Sequence, residues 1–128
     1  MNYLLDTHTF LWILCKPEVL PARVLSIVQD RSATLLVSIA TPWEMAIKVA
    51  SGKLNAADIL DNFEAAVTRG RFSVLKTTVR QAISSGRLPF YHRDPFDRLL
   101  VAQALDLGIP IVSRDRIFDL YGVKRIWE

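Results

Sequence analysis

Short apolar runs alternate with runs of helical period along this chain, and a carboxylate stands near four of the junctions: Asp6, Glu44, Asp97 and Asp115. This alternation constrains the fold more than any other feature. Strands separated by helices pair in parallel through right-handed crossovers, and a parallel sheet is covered on both faces. The expectation is therefore an α/β protein, a three-layer α/β/α sandwich around a parallel sheet of four to five strands, folded as a single domain over residues 1–128. In such a fold the carboxyl ends of the strands lie along one edge, where acids remote in sequence can converge.

The individual runs are legible. Asn2–Leu5 reads as a buried strand and Thr7–Cys15 as a helix ended by Lys16-Pro17. Helical spacing follows over Pro21–Asp30, then a strand over Leu35–Ser38 and a helix over Thr41–Ala50 closed by Ser51-Gly52. One helix is expected over Ala56–Thr68, with Ile59, Leu60, Phe63 and Val67 on one face and Gly70 as its stop. Phe72–Leu75 is a strand, Thr78–Ser85 a helix, and Gly86 to Arg93 an irregular crossing. Pro95–Leu107 is an amphipathic helix stopped by Gly108, followed by a strand over Ile109–Ser113, a short helix over Arg114–Tyr121 and an edge strand over Lys124–Trp127.

Each acid has an ordinary structural explanation. Thr41-Pro42-Trp43-Glu44 has the grammar of a capping box, and Asp94-Pro95-Phe96-Asp97 repeats it with Asp94 as the cap. Asp6 can cap the helix at Thr7, and Ser113 the one containing Asp115; acids there gain about 0.3 to 1 kcal/mol each from the helix dipole. Capping does not explain why all four acids fall where strand ends and helix starts meet. Three or four carboxylates brought together repel, and a hard cation relieves them. Oxygen ligands suit Mg²⁺ or Mn²⁺, whose usual task in such a site is to polarise phosphoryl oxygens and activate water.

Other chemistries find little support. Zinc is disfavoured because Cys15 is the only thiol, and His8 and His92 lack metal-ligand spacing. There is no glycine-rich phosphate loop, and neither histidine has the setting of a Ser-His-Asp hydrolase. With 51% hydrophobic residues the chain can bury about two-thirds of its unfolded surface without staples, and Cys15 among apolar neighbours reads as a small buried hydrophobe in a reducing cytosol. Asp6, Thr7 and His8 interrupt the N-terminal apolar run, which is not a signal peptide and is too short to span a bilayer. The chain carries 16 Lys and Arg against 13 acids. With the four junction acids neutralised by metal, nine acids remain, and the surplus of seven suits a polyanionic partner.

At these residues the sequence resembles a family. Leu4-Leu5-Asp6-Thr7-His8, Trp43-Glu44-Met45-Ala46-Ile47-Lys48 leading to Gly52-Lys53-Leu54, His92-Arg93-Asp94-Pro95-Phe96-Asp97-Arg98-Leu99-Leu100, and Ser113-Arg114-Asp115 with Phe118 and Tyr121 beyond are similar to the PIN domain, in particular VapC-type toxins of bacterial toxin-antitoxin pairs. Ser113 stands where relatives often have Thr, and Thr41-Pro42 where many have Ser and a non-proline residue. The resemblance implies a cytoplasmic endoribonuclease that binds Mg²⁺, with Mn²⁺ able to substitute. It also implies a small cognate antitoxin as inhibitor, and a homodimer or toxin-antitoxin hetero-oligomer with no membrane association. It implies further that Asp6, Asp97 and Asp115 hold the metal, and that Glu44 completes the pocket or orients the attacking water. In-line attack would then leave a 5′-phosphate and a 3′-hydroxyl. Ser113 would orient a carboxylate, Asp94 would cap its helix beside the site, and Arg98 and Arg114 would be candidates for gripping the scissile phosphate or, equally, for pairing with the neighbouring acids and holding the pocket together. Trp12, Trp43 and Phe63 could line a groove for an amphipathic partner helix, or be ordinary core. Two alternatives remain: a non-catalytic RNA-binding protein of the same fold, and a receiver-type signalling domain. The latter usually has adjacent acids after its first strand and a Lys after its last inner strand, whereas here Thr7 follows Asp6 and Arg114 follows Ser113.

Overall fold

A computed structural model describes residues 1–128. Five strands form one parallel sheet: β1 (Asn2–Leu5), β2 (Thr34–Ser38), β3 (Phe72–Leu75), β4 (Ile111–Val112) and β5 (Arg125–Ile126), in the order β3-β2-β1-β4-β5. Every pairing is parallel, as the alternation of strand and helix demands. Seven α-helices connect and cover the strands: α1 (Thr7–Cys15), α2 (Ala22–Gln29), α3 (Ala40–Ala50), α4 (Ala57–Asp61), α5 (Phe63–Arg69), α6 (Val79–Arg87) and α7 (Pro95–Leu107). A 3₁₀ helix over Arg116–Tyr121 links β4 to β5.

Successive residues of a strand face opposite sides, so the sheet divides the core in two. Leu5, Leu35 and Val37 face α1 and α2 in a cluster with Phe10, Val24, Met45 and Phe72. Leu4 and Ile111 face the other side, among Leu100, Val101 and Ala104 of α7 and Phe118 of the 3₁₀ helix. The three-layer expectation therefore holds.

Several boundaries differ from the sequence reading, each for a local reason. Residues 57–69 form two helices rather than one, because the chain breaks at Asn62, whose side chain donates to the Asp58 carbonyl (2.9 Å) and competes with the helix. The stop at Gly70 reflects crowding: a Cβ there would meet the Phe72 ring at 2.2 Å. The fourth strand is only Ile111–Val112, since it pairs over just two residues on each side. Cys15 is exposed, which corrects its reading as a buried residue: it ends α1, past the turn that packs on the sheet.

Arg98 does not reach a phosphate site, which corrects the expectation for that residue. Its side chain is buried, with the residue 5% exposed, and the guanidinium donates to the carbonyls of Ser85, Gly86, Leu88, Pro89 and His92 at 2.9 to 3.4 Å. The Phe90 ring covers it at 4.3 Å. One rigid fork thus gathers the whole crossing from α6 to α7. The Tyr121 hydroxyl assists by donating to the Pro89 carbonyl (2.6 Å) and accepting from the His92 N–H (2.8 Å). Arg98→Lys keeps the charge but not the fork, and it should lower the unfolding free energy by about 3 kcal/mol in urea melts.

Candidate active site

The register of the sheet assembles the site. Leu5 of β1 pairs with Val112 of β4 and with Val37 of β2, so Asp6, Ser113 and Ser38 leave the sheet side by side. Asp6 then caps α1, one carboxylate oxygen accepting from the Thr9 N–H at 2.8 Å. Its other oxygen accepts from the Ser113 hydroxyl, which itself accepts the Asp115 N–H at 3.0 Å. Ser113 therefore joins the first acid to the last. Asp115 repeats the arrangement of Asp6: one oxygen caps the 3₁₀ helix at the Ile117 N–H (3.0 Å), while the other faces His92.

Glu44 is not part of a capping box. Ser38 accepts from the Ala40 N–H (3.0 Å) and α3 begins at Ala40, so Thr41 and Pro42 already lie inside the first turn. The buried Glu44 carboxylate accepts instead from the Thr7 hydroxyl (2.6 Å) and the Lys48 ammonium. Thr7 has only one proton to give, so Thr41, 3.2 Å away, donates to Thr7 in turn.

Asp97 stands in the first turn of α7, which Asp94 caps through the Phe96 N–H at 2.8 Å. Burial, and then the neighbouring Asp94, Asp6, Glu44 and Asp115, push its carboxyl up to about 8. The four expected acids are therefore brought together, with Asp94 beside them. Burial likewise raises the pKa of Asp6, against the hydrogen bonds from Ser113 and Thr9. No Lys or Arg pairs with Asp6, Asp97 or Asp115; the nearest ammonium, Lys48, is held by Glu44.

His92 is the member of this pocket that sequence reasoning missed. Its Nε2 lies 2.8 Å from Asp97 and 3.7 Å from Asp115, and ligand atoms of these three residues fall within 4.8 Å of one another. The Asp94 N–H donates to His92 Nδ1 (3.2 Å), so the ring proton sits on Nε2, a buried nitrogen with no well-aligned acceptor. In this tautomer the ring is a donor among acids and not a free ligand. His92 stands five positions before Asp97 across a helix start, a spacing that matches no helical or metal-binding period; only its place in the crossing motif marked it.

The remaining candidates lie elsewhere. Arg114 is exposed and lines a cleft with Arg116, Arg125, Trp127 and Glu128, which none of the four acids lines. Trp43 is 57% exposed and stacks edge-on against Phe96, with ring centroids 4.8 Å apart. Phe63 lines an apolar cavity of about 580 Å³ with Ile39, Pro42, Leu60 and Val74, while Trp12 packs against Trp127.

A carboxyl whose pKa is raised on folding ties stability to pH with a definite sign. Below about pH 4 Asp97 is protonated whether folded or unfolded; above that the unfolded chain ionises first, so stability falls as pH rises and levels off beyond about 8. Urea midpoints in EDTA should therefore decline across that window, and Asp97→Asn should flatten the decline.

Comparison with known proteins supplies the family. The fold is similar to VapBC2 from Rickettsia felis bound to a DNA fragment from their promoter, with TM-score 0.74, 15% identity and full coverage of both chains. It is also similar to VapBC-1 from nontypeable Haemophilus influenzae, with TM-score 0.69 and 19% identity over 98% of this chain and 97% of that one. FitAcB from Neisseria gonorrhoeae aligns over 97% and 96% of the two chains, with TM-score 0.61 and 19% identity. At these identities the likeness is one of fold. A search of curated proteins by sequence finds no match. The PIN domain model matches residues 3–124, nearly the whole sequence, and the chain belongs to the PIN domain family.

Proposed function

We propose that this protein is a metal-dependent endoribonuclease of the VapC toxin type. The observation that carries the reading is the set of Asp6, Asp97 and Asp115, gathered from two strand ends and a helix start with no Lys or Arg paired to them. Such a donor set fits a hard dication, and its three carboxylates would hold Mg²⁺, with Mn²⁺ as a substitute. When bound, the ion polarises a phosphoryl oxygen and lowers the pKa of water.

The chain's own residues do the rest. Ser113 fixes the rotamer of Asp6 and the backbone of Asp115 with a single hydroxyl. His92 Nε2 lies 2.8 Å from the Asp97 carboxylate. Glu44 has both oxygens engaged, by Thr7 and by Lys48. Its role is to complete the negative wall of the pocket and orient water. Attack of the water oxygen on phosphorus in line with the leaving 3′-oxygen breaks the P–O3′ bond, leaving a 5′-phosphate and a 3′-hydroxyl. The likeness to VapBC complexes supports a small antitoxin as inhibitor. The exposed Ile39, which precedes α3 and lines the cavity, and Trp43 and Ile47, at four-residue steps beyond it on α3, offer a face on which a protein partner can dock.

Asp6→Asn, Asp97→Asn and Asp115→Asn should each abolish cleavage of total RNA in Mg²⁺ while the variants stay folded, and EDTA should stop the wild type. Full activity in these variants, with only the roughly 0.5 to 2 kcal/mol loss of a cap, would reduce Asp6 and Asp115 to helix caps. In cells, expression of the chain alone should arrest growth and Asp6→Asn should not. Arrest by that variant would place toxicity outside this site.

A further inference from the structure

Attraction of a polyanion is a problem for this pocket. Asp6, Glu44, Asp94, Asp97 and Asp115 converge there, Lys48 is bound to Glu44, and Arg98 is spent on backbone carbonyls. Even with a dication in place, the pocket holds more negative than positive charge. Whatever draws an RNA strand to it must lie beside it.

We propose that the cleft lined by Arg114, Arg116 and Arg125 is a subsite for a backbone phosphate of the RNA next to the scissile one. This rests on the ribonuclease reading above and names how that site holds its substrate. The cleft has a volume of about 330 Å³ and is lined almost wholly by charged side chains, with Trp127 as its one apolar wall. The run Ser113-Arg114-Asp115-Arg116 divides between the two sites. Asp115 faces His92 and Asp97 in the acid pocket, whereas its two arginine neighbours line the cleft. Ser113 divides in the same way. Its hydroxyl serves Asp6 and Asp115, and its carbonyl accepts from Arg125 Nη1 at 3.1 Å.

Arg125 is built into place. Asp119 accepts from its Nε and Nη2 (3.0 and 3.3 Å), and its side chain is only 16% exposed. Trp127 is buried against Trp12 and gives the cleft a fixed wall. Arg114 and Arg116, in contrast, are exposed, make no ion pair and donate no hydrogen bond. Two free guanidiniums beside a third, with Glu128 as the only acid in the lining, repel one another until an anion joins them. A phosphate held by the residues flanking Asp115 is a near neighbour, along the strand, of the phosphate at the acids.

The test is the salt dependence of binding, measured on the full chain with a fluorescent single-stranded RNA and with DNA of the same sequence, in calcium in place of magnesium. Arg114→Gln/Arg116→Gln should bind both strands at least tenfold more weakly. The slope of log Kd against log salt should fall by about 0.7, the value for one lost phosphate contact. Arg114→Lys/Arg116→Lys should restore the slope, because phosphate contact asks only for charge. Glu128→Gln should tighten binding severalfold, a change of sign that no folding defect can imitate. The rise in melting temperature with Mn²⁺ should survive in the Gln pair, showing the acid pocket intact. If the wild type binds RNA but the Gln pair keeps its slope, the subsite falls and the ribonuclease reading stands. A wild type that neither binds nor cuts RNA removes both. A Gln pair that loses only an acidic protein partner assigns the cleft to that partner and overturns the proposal.

Discussion

The parallel pairing of β1 with β4 is the constraint on which the rest of this molecule depends. Because Leu5 sits opposite Val112, the residues that follow, Asp6 and Ser113, leave the sheet together and meet through a hydroxyl–carboxylate bond. A slip of one residue would turn Leu4 and Leu5 to the wrong faces, each into the opposite half of the core, and would carry Asp6 away from Ser113. Thr9 reinforces the pairing from α1, donating its buried hydroxyl to the Val112 carbonyl at 2.9 Å. Apolar burial on both faces of the sheet therefore sets the geometry of a polar pocket at its edge.

The fold was legible because its signals were local and repeated. Runs of four or five apolar residues between helices bounded by Pro and Gly admit few arrangements, and α1 and α7 begin and end where their caps predict. What failed were places where a side chain competes with the helix, as Asn62 does, or where position along a helix decides exposure, as it does for Cys15. The start of α3 shows the same limit. Thr41-Pro42-Trp43-Glu44 has a capping grammar, but α3 already begins at Ala40, whose N–H donates to the Ser38 hydroxyl at the end of β2.

For the site, capping and metal binding presented themselves in the sequence as rival explanations of each acid. In the structure they are the same arrangement for Asp6 and Asp115. One oxygen of each carboxylate satisfies a helix N–H, and the other faces a partner across the pocket. Each cap thereby fixes its carboxylate before any ligand arrives, which is the preorganisation that a precise site requires. Arg98 was given the wrong role and His92 none, for a common reason. Both act through the irregular crossing between α6 and α7, where contacts follow no period, and the crossing takes its shape from the five carbonyls that Arg98 gathers.

Holding acids in place has a cost, and its distribution explains the architecture around the pocket. Asp97 bears a large share, with its carboxyl raised to about 8 by burial and by four like charges. An interaction that resists ionisation must be opposed by structure that will not relax, because a flexible loop would simply carry the acid away. Asp97 accordingly stands on the best-anchored helix of the fold, one whose residues from Leu99 to Ala104 are all buried. Asp115, in contrast, sits on a short 3₁₀ helix with its side chain half exposed. The rigid acid and the accessible acid thus face each other across His92, with the accessible one next to the open, basic side of the molecule. Burial therefore orders the pocket from a rigid wall to an open one, and the open wall is the side from which a strand can approach.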